Sequence, residues 1–273
     1  MEWSKIKNIV ILILLFVNAA LLVLVASRES RRAHSEAETW AGTIAALERS
    51  GISFSLPAPP PMELAPLTFT RDREGERSAA EALLGPLEEQ ADSSPARTSY
   101  AASAGHAEFS MDGEFILRLE PDVWLLNGRS YDQASQDALE RLGFAGILLE
   151  EREEAGRRVL RYCQAWEGAP LFSCRTELCW QDGSLLSVQG QRMAGTAAPA
   201  AGGSVLPTAD ILIRFLAGLN QAGDVCSRID AMTGGYLVNS NSRPIQLLPA
   251  WLVETDNRSY YVNGLTGEVS PAE

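Results

Sequence analysis

A chain of 273 residues, 46% hydrophobic and 21% charged, is long enough to bury the core of one large domain or two small ones. Its net charge of −12 becomes −15 over residues 33–273, which hold 18 basic and 33 acidic side chains. Such a surface repels nucleic acid and anionic headgroups, which excludes DNA and RNA as expected partners.

The chain opens Met1-Glu2-Trp3-Ser4-Lys5-Ile6-Lys7-Asn8 and runs into Ile9–Ala26, where Asn18 is the only polar side chain. At ~1.5 Å rise per residue this run reaches about 27 Å as a helix, close to the hydrocarbon thickness of a bilayer. Val25-Ala26-Ser27 loosely resembles a signal-peptidase site, but the apolar region of a signal peptide is usually ~7–15 residues. The expectation is an uncleaved anchor over residues 1–32 that spans the membrane once. Lys5 and Lys7 before the span nearly balance Arg28, Arg31 and Arg32 after it, so charge asymmetry does not set the orientation. The acidic, Lys-free remainder points to a cytoplasmic N-terminus and an extracytoplasmic bulk.

Residues 33–66 read as a juxtamembrane helix and a linker. Ser35–Ser50 places Trp40, Ala41, Ile44, Ala45 and Leu47 at helical spacing before Gly51, and Leu56–Pro61 is proline-rich and extended. Residues 67–125 form an α+β segment. There Ser78–Gln90 reads as a helix weakened by Gly85-Pro86, Ala91–Gly105 as a loop, and Ala107–Phe109 and Phe115–Leu119 as a hairpin around Asp112-Gly113. Residues 126–195 open with a helix at Ser130–Leu142, N-capped by Ser130 and ended by Gly143. A meander follows: Arg157–Trp166, Leu171–Trp180 and Leu185–Met193. Gly195–Ser204 reads as a linker. Residues 205–273 repeat the order, with a helix at Thr208–Asn220 and strands at Val225–Asp230, Gly235–Val238, Pro249–Glu254 and Ser259–Val262. The fold class is therefore α+β: a transmembrane helix, then two duplicated units of one helix on an antiparallel sheet. Leu139, Leu142, Phe172, Leu178, Phe215, Leu219, Trp251 and Tyr261 are the expected core.

No catalytic constellation is visible. His34 and His106, the latter placed in a loop, have no ligand partners at metal-binding spacing, and no nucleophile elbow, phosphate loop or dinucleotide fingerprint occurs. Glu150–Glu154, interleaved with Arg152 and followed by Arg157 and Arg158, reads as a solvated loop rather than a cation site. The expectation is a non-enzyme with no cofactor and no metal. Two hairpin registers fit the cysteines. One sets Cys163 opposite Cys174, within reach of a disulfide; the other aligns Leu160, Tyr162 and Trp166 with Leu178, Thr176 and Phe172, which buries a cleaner face. Cys179 and Cys226 read as small buried residues. In the span, Asn18 is expensive against lipid and should turn to a protein helix, with Leu15, Ala19 and Leu22 on the contact surface.

The N-terminal Met1–Ile9 segment running directly into a span, Tyr162–Phe172, Leu248–Glu254 and Tyr260–Val269 together resemble the YycH/YycI family. Its members are membrane-anchored regulators of the WalK (YycG) histidine kinase of Firmicutes. The Trp166-Glu167-Gly168-Ala169-Pro170-Leu171-Phe172 hairpin and the Thr266-Gly267-Glu268-Val269 turn are also similar to PepSY-type modules. Asn18 departs from the acidic residue expected of the family there. The resemblance implies a PepSY-like outer domain, an envelope that seldom relies on disulfides, and two partners: the kinase transmembrane helices and a YycH-like protein. It implies control of wall-metabolism genes through kinase phosphorylation. The other class kept open is an anchored PepSY-like module that binds or inhibits an envelope hydrolase, or binds a wall ligand.

Overall fold

The computed structural model describes residues 14–18, 21–22 and 37–272, except 60, 89–91, 95, 201–202, 241 and 243. It is a mixed α+β chain, mostly sheet with few helices. Of the apolar run, residues 14–18 and 21–22 are helical with exposed side chains; the rest of it, Ala19 included, lies outside the described residues. Among the described residues no helix is long and apolar enough to cross a membrane.

The helix over residues 37–49 (α1) packs Leu47 into a core with Trp40 and Ile44 beside it, and stops at Gly51 (φ 81°). Short strand β1 (Ser53–Phe54) follows, then β2 (Leu67–Arg71). Helix α2 covers Arg73–Leu84 rather than Ser78–Gln90. Asp72 caps it by accepting from Gly75 N at 3.0 Å, and Gly85 (φ 77°) ends it, so the Gly-Pro pair terminates the helix instead of interrupting it.

The region expected as a loop after α2 holds strands β3 (Asp92–Ser93) and β4 (Arg97–Ala102), followed by β5 (Gly105–Ser110) and β6 (Glu114–Leu119). The inward positions of β4 are Thr98 and Tyr100, a period-two pattern too polar to stand out in the sequence. His106 is correspondingly in a strand, opposite Ala101 and Arg118.

Helix α3 (Tyr131–Arg141) has the expected N-cap at Ser130, completed into a capping box by Gln133: Ser130 Oγ accepts from Gln133 N, and Gln133 Oε1 accepts from Ser130 N. Its buried side chains are Ala134, Ser135, Ala138 and Leu139. The small ones let the axis approach the sheet, where Trp180 Nε1 donates to Ser135 Oγ at 3.0 Å. Strands β7 (Ala145–Glu154), β8 (Arg157–Trp166), β9 (Ala169–Gln181) and β10 (Ser184–Gln191) form a meander. Their turns are Ala155-Gly156, Glu167-Gly168 and Asp182-Gly183, each with two positive φ values, the conformation that matches strand twist in two-residue hairpins.

The acidic run is therefore strand, not loop. Glu151 and Glu153 pair with Arg158 at 2.9 and 3.4 Å, and Arg161 reaches Glu150 at 3.3 Å. Cross-strand charge pairing replaces the apolar pattern that usually marks a strand. The linker expected at Gly195–Ser204 begins with strand β11 (Gly195–Pro199), paired with β2. Helix α4 (Thr208–Ala222) buries Ile211, Leu212, Phe215 and Leu219 and stops at Gly223 (φ 71°). The last strands are β12 (Arg228–Asn239), a single element where two were expected, then β13 (Ile245–Thr255), β14 (Ser259–Asn263) and β15 (Val269–Pro271).

The order of one helix then an antiparallel meander, expected twice, occurs three times, each with four strands: α2 with β3 to β6, α3 with β7 to β10, and α4 with β12 to β15. The first two meanders join edge to edge through β6 and β10, giving the order β3-β4-β5-β6-β10-β9-β8-β7. Helices α2 and α3 share one core on this sheet, with Arg141 Nη1 donating to Ala82 O at 3.2 Å. The third meander forms a second core with α1 and α4. It meets the first sheet at a parallel bridge, Tyr236 to Leu171. Seven of the eight expected core residues are buried; Tyr261 is not. Strand alternation puts Tyr260 inside with Trp251 and Val262, and sends Tyr261 to the other face, where it stacks on Phe172 at 5.3 Å.

The helix-free sheet face as a candidate functional site

Because α2 and α3 cover one face of the joined sheet, every outward side chain of β4 to β10 projects to the other face. Register aligns seven of them in one row across seven strands: Ser99, Glu108, Ile116, Gln189, Glu177, Arg161 and Glu150. A groove of about 560 Å³ runs along this face and is also lined by Arg97, Glu114 and Arg175. Two ion pairs lie within it. Arg97 Nη1 meets Glu108 at 3.4 Å, while Arg161 donates through Nε and Nη2 to Glu177 Oε1 at 2.9 and 2.6 Å. The Glu177 bond, the larger effect, holds the Arg161 guanidinium above its ordinary range. Arg175 Nη2 lies 3.2 Å from Tyr261 Oη, which ties this face to the third meander. The exposed Arg97–Glu108 pair contributes little stability, ~0–1 kcal/mol, while Arg161–Glu177 is partly buried. Sequence reading singled out only Glu150 of this row, as part of the acidic run, because each residue is an ordinary outward position and only the pairing of β6 with β10 brings the two halves together.

The expected anchor contacts are described in part. Leu15, Asn18 and Leu22 are helical and exposed, and Asn18 Nδ2 donates to Leu14 O at 3.0 Å. That bond uses one of the amide's two N–H groups and leaves its oxygen out of account. Ala19 lies outside the described residues.

Of the two cysteine registers, the one aligning Leu160 with Leu178 and Tyr162 with Thr176 is observed, and Cys163 stands opposite Arg175. The alignment shifts at a bulge between Cys163 and Ala165, so Trp166 pairs with Ala169 rather than Phe172. The extra residues of this irregularity lie on β9, between Pro170 and Arg175; opposite them the buried Gln164 clamps Met193, donating to its carbonyl at 2.7 Å and accepting from its N–H at 2.8 Å. Cys163, Cys174, Cys179 and Cys226 are all free thiols. Burial pushes all four up, Cys163 to about 11. Thiolate is the reacting form. At pH 8 the native chain should therefore react slowly with a thiol reagent, Cys179 and Cys226 ahead of Cys163 and Cys174. After denaturation without reductant four thiols should titrate; two would demonstrate a bridge.

The tail motif has a packing explanation. Trp251, Tyr260 and Val262 lie in the second core, and Tyr260 Oη donates to Asp224 at 3.1 Å. Asn263 Oδ1 accepts from Leu265 N and Thr266 N at 2.9 and 3.1 Å, closing the turn at Gly267 (φ 72°) that admits β15. Among the described residues no group of three or more His, Cys, Asp or Glu is placed to hold a metal ion.

No family model matches the sequence, and no curated protein matches it. Among solved structures the chain is similar to an uncharacterized protein from Eubacterium rectale ATCC 33656, with 11% identity and a TM-score of 0.45 over 78% of this chain and 81% of that one. It is also similar to the Bacillus megaterium YpeB C-terminal domain, with 12% identity and a TM-score of 0.36 over 75% of this chain and 99% of that domain.

Proposed function

We propose that this chain is a membrane-anchored regulatory protein of the YycI type. Its span binds the transmembrane helices of a WalK-type sensor histidine kinase, and its outer, PepSY-like domain works beside a YycH-like partner. The observation that carries this reading is the Met1–Ile9 segment entering an 18-residue apolar run directly, on the same chain as the Leu248–Glu254 and Tyr260–Val269 motifs. The helical, exposed state of Leu15, Asn18 and Leu22 supports it, since a span specialised for contact needs a polar group and close approach on one side. Affinity purification of the full chain from detergent-solubilised membranes should recover a histidine kinase together with a YycH-like protein. A gene neighbourhood of response regulator, histidine kinase and YycH-like gene supports the same reading.

The groove on the helix-free face favours a second reading, an anchored module that binds a wall ligand or an envelope hydrolase. Its paired carboxylates and guanidiniums would bind a polar partner by exchanging their mutual contacts for contacts to it. Recovery of a hydrolase and no kinase would favour this one.

A further inference from the structure

The dipeptide Asn-Gly occurs twice in the chain, at Asn127-Gly128 and at Asn263-Gly264. In this pair the backbone nitrogen after asparagine can attack the side-chain amide carbon, because glycine places no side chain in the way and lets the backbone rotate. In a folded chain the attack depends on whether that nitrogen and that amide are held by other bonds, and on how readily the turn opens. The two sites are opposites in this respect.

Asn263-Gly264 is committed on every side. Gly264 is buried and its N–H donates to Pro249 O at 2.7 Å. Asn263 Oδ1 accepts from Leu265 N and Thr266 N at 2.9 and 3.1 Å, and Asn263 O accepts from Gly267 N at 2.8 Å. Asn127-Gly128 forms the centre of a turn between β6 and α3, with φ values of 49° and 80°. Both residues are exposed. One backbone bond, Arg129 N to Leu126 O at 3.0 Å, closes the turn. The Arg129 side chain donates to Leu126 O and Leu125 O, so it holds the stem and not the two central residues. Among the described residues neither the Asn127 amide nor Gly128 N has a hydrogen-bond partner, and the space beside Gly128 Cα is open to 4 Å.

We propose that Asn127 is a site of spontaneous modification to aspartate and isoaspartate. Gly128 N attacks Asn127 Cγ and a C–N bond forms. The side-chain nitrogen takes up the Gly128 proton and leaves as ammonia. Water then opens the resulting succinimide and returns a proton to Gly128 N. Opening at the side-chain carbonyl leaves aspartate; opening at the backbone carbonyl leaves isoaspartate, whose main chain carries an extra carbon. Either product adds a negative charge beside Arg129. Isoaspartate also lengthens the link between the first and second helix-and-meander units, where Leu126 N donates to Gly183 O at 3.0 Å and Ser130 caps α3.

The test ages the full chain in detergent micelles in alkaline buffer, beside a sample unfolded in denaturant. Both are digested, and mass spectrometry with electron-transfer fragmentation reads the two sites and separates isoaspartate from aspartate. In the folded chain Asn127 should convert, faster as pH rises, and Asn263 should convert at least roughly tenfold more slowly, since ~1.4 kcal/mol of extra opening free energy suffices for that ratio. In the unfolded chain the two sites should convert at similar rates. An intact Asn127 in the folded chain after the unfolded chain has converted would overturn the proposal. So would equal rates at the two sites in the folded chain, or the same rate ratio folded and unfolded.

Discussion

Exchange of Ile9–Ala26 for a polyleucine–alanine span is expected to weaken co-purification of the kinase and to change expression of its target genes, while the outer domain still folds and reaches the membrane. The replacement keeps insertion favourable but removes Asn18 and the surface formed with Leu15, Ala19 and Leu22. Apolar side chains gain nothing from each other in lipid that they do not gain from lipid itself, so specificity must come from close packing and polar contacts. Asn18→Leu alone should weaken association roughly fivefold, the effect of losing one interhelical hydrogen bond of ~1 kcal/mol. The bond from Asn18 Nδ2 to Leu14 O does not reduce this expectation, since an amide has a second N–H and an acceptor oxygen. If the exchanged span leaves both readouts unchanged while deletion of residues 207–273 abolishes them, signalling runs through the outer domain. If neither change matters, the envelope-binding reading moves ahead.

Gly235→Ala should destabilise the outer domain by ~1–3 kcal/mol, whereas Gly234→Ala, one residue away, should leave stability unchanged or raise it slightly. A Cβ on Gly235 would stand 2.5 Å from Pro170 O and 2.7 Å from the Phe172 ring, against backbone and stacked aromatic atoms that cannot yield separately. A Cβ on Gly234 meets Met62 Cε at 3.4 Å, the end of a flexible side chain, and the Trp251 ring at 3.8 Å, an ordinary van der Waals contact. The difference arises because Gly235 adjoins the Tyr236–Leu171 bridge, where β12 is pressed against the start of β9. Urea unfolding midpoints of the two variants measure it. Equal midpoints would show that the two sheets do not pack as closely as this bridge requires.

Local chemistry made part of the fold legible. The N-cap at Ser130 and the stop at Gly143 located α3, the apolar spacing of Ile211, Leu212, Phe215 and Leu219 located α4, and the Asp-Gly and Glu-Gly pairs located hairpins, because each signal is complete within a few residues. What failed was structure whose stabilising partners lie elsewhere. Strand β7 is held by Arg158 and Arg161 rather than by its own apolar pattern, and β11 exists only because β2 pairs with it. Strand β4 turns inward a threonine and a tyrosine, Thr98 and Tyr100. With β3 and β4 missed, the third repeat of the helix-and-meander unit was missed as well. The groove was invisible for the same reason: it is assembled by the junction of β6 with β10.

The account stands most directly on which side of the membrane the acidic domain occupies. A regulator that combines a wall-side domain with contact to kinase helices requires residues 33–273 outside the cytoplasm and still joined to the span. Single cysteines placed at Ser94 and Ser204, both exposed, in a chain whose four native cysteines are replaced, report this when intact cells are treated with a membrane-impermeant maleimide. Labelling of both positions on intact cells, on a chain that remains in the membrane fraction with its N-terminus uncleaved, is the expected result. Labelling only after lysis, or a mature N-terminus at or near Arg28, would contradict it.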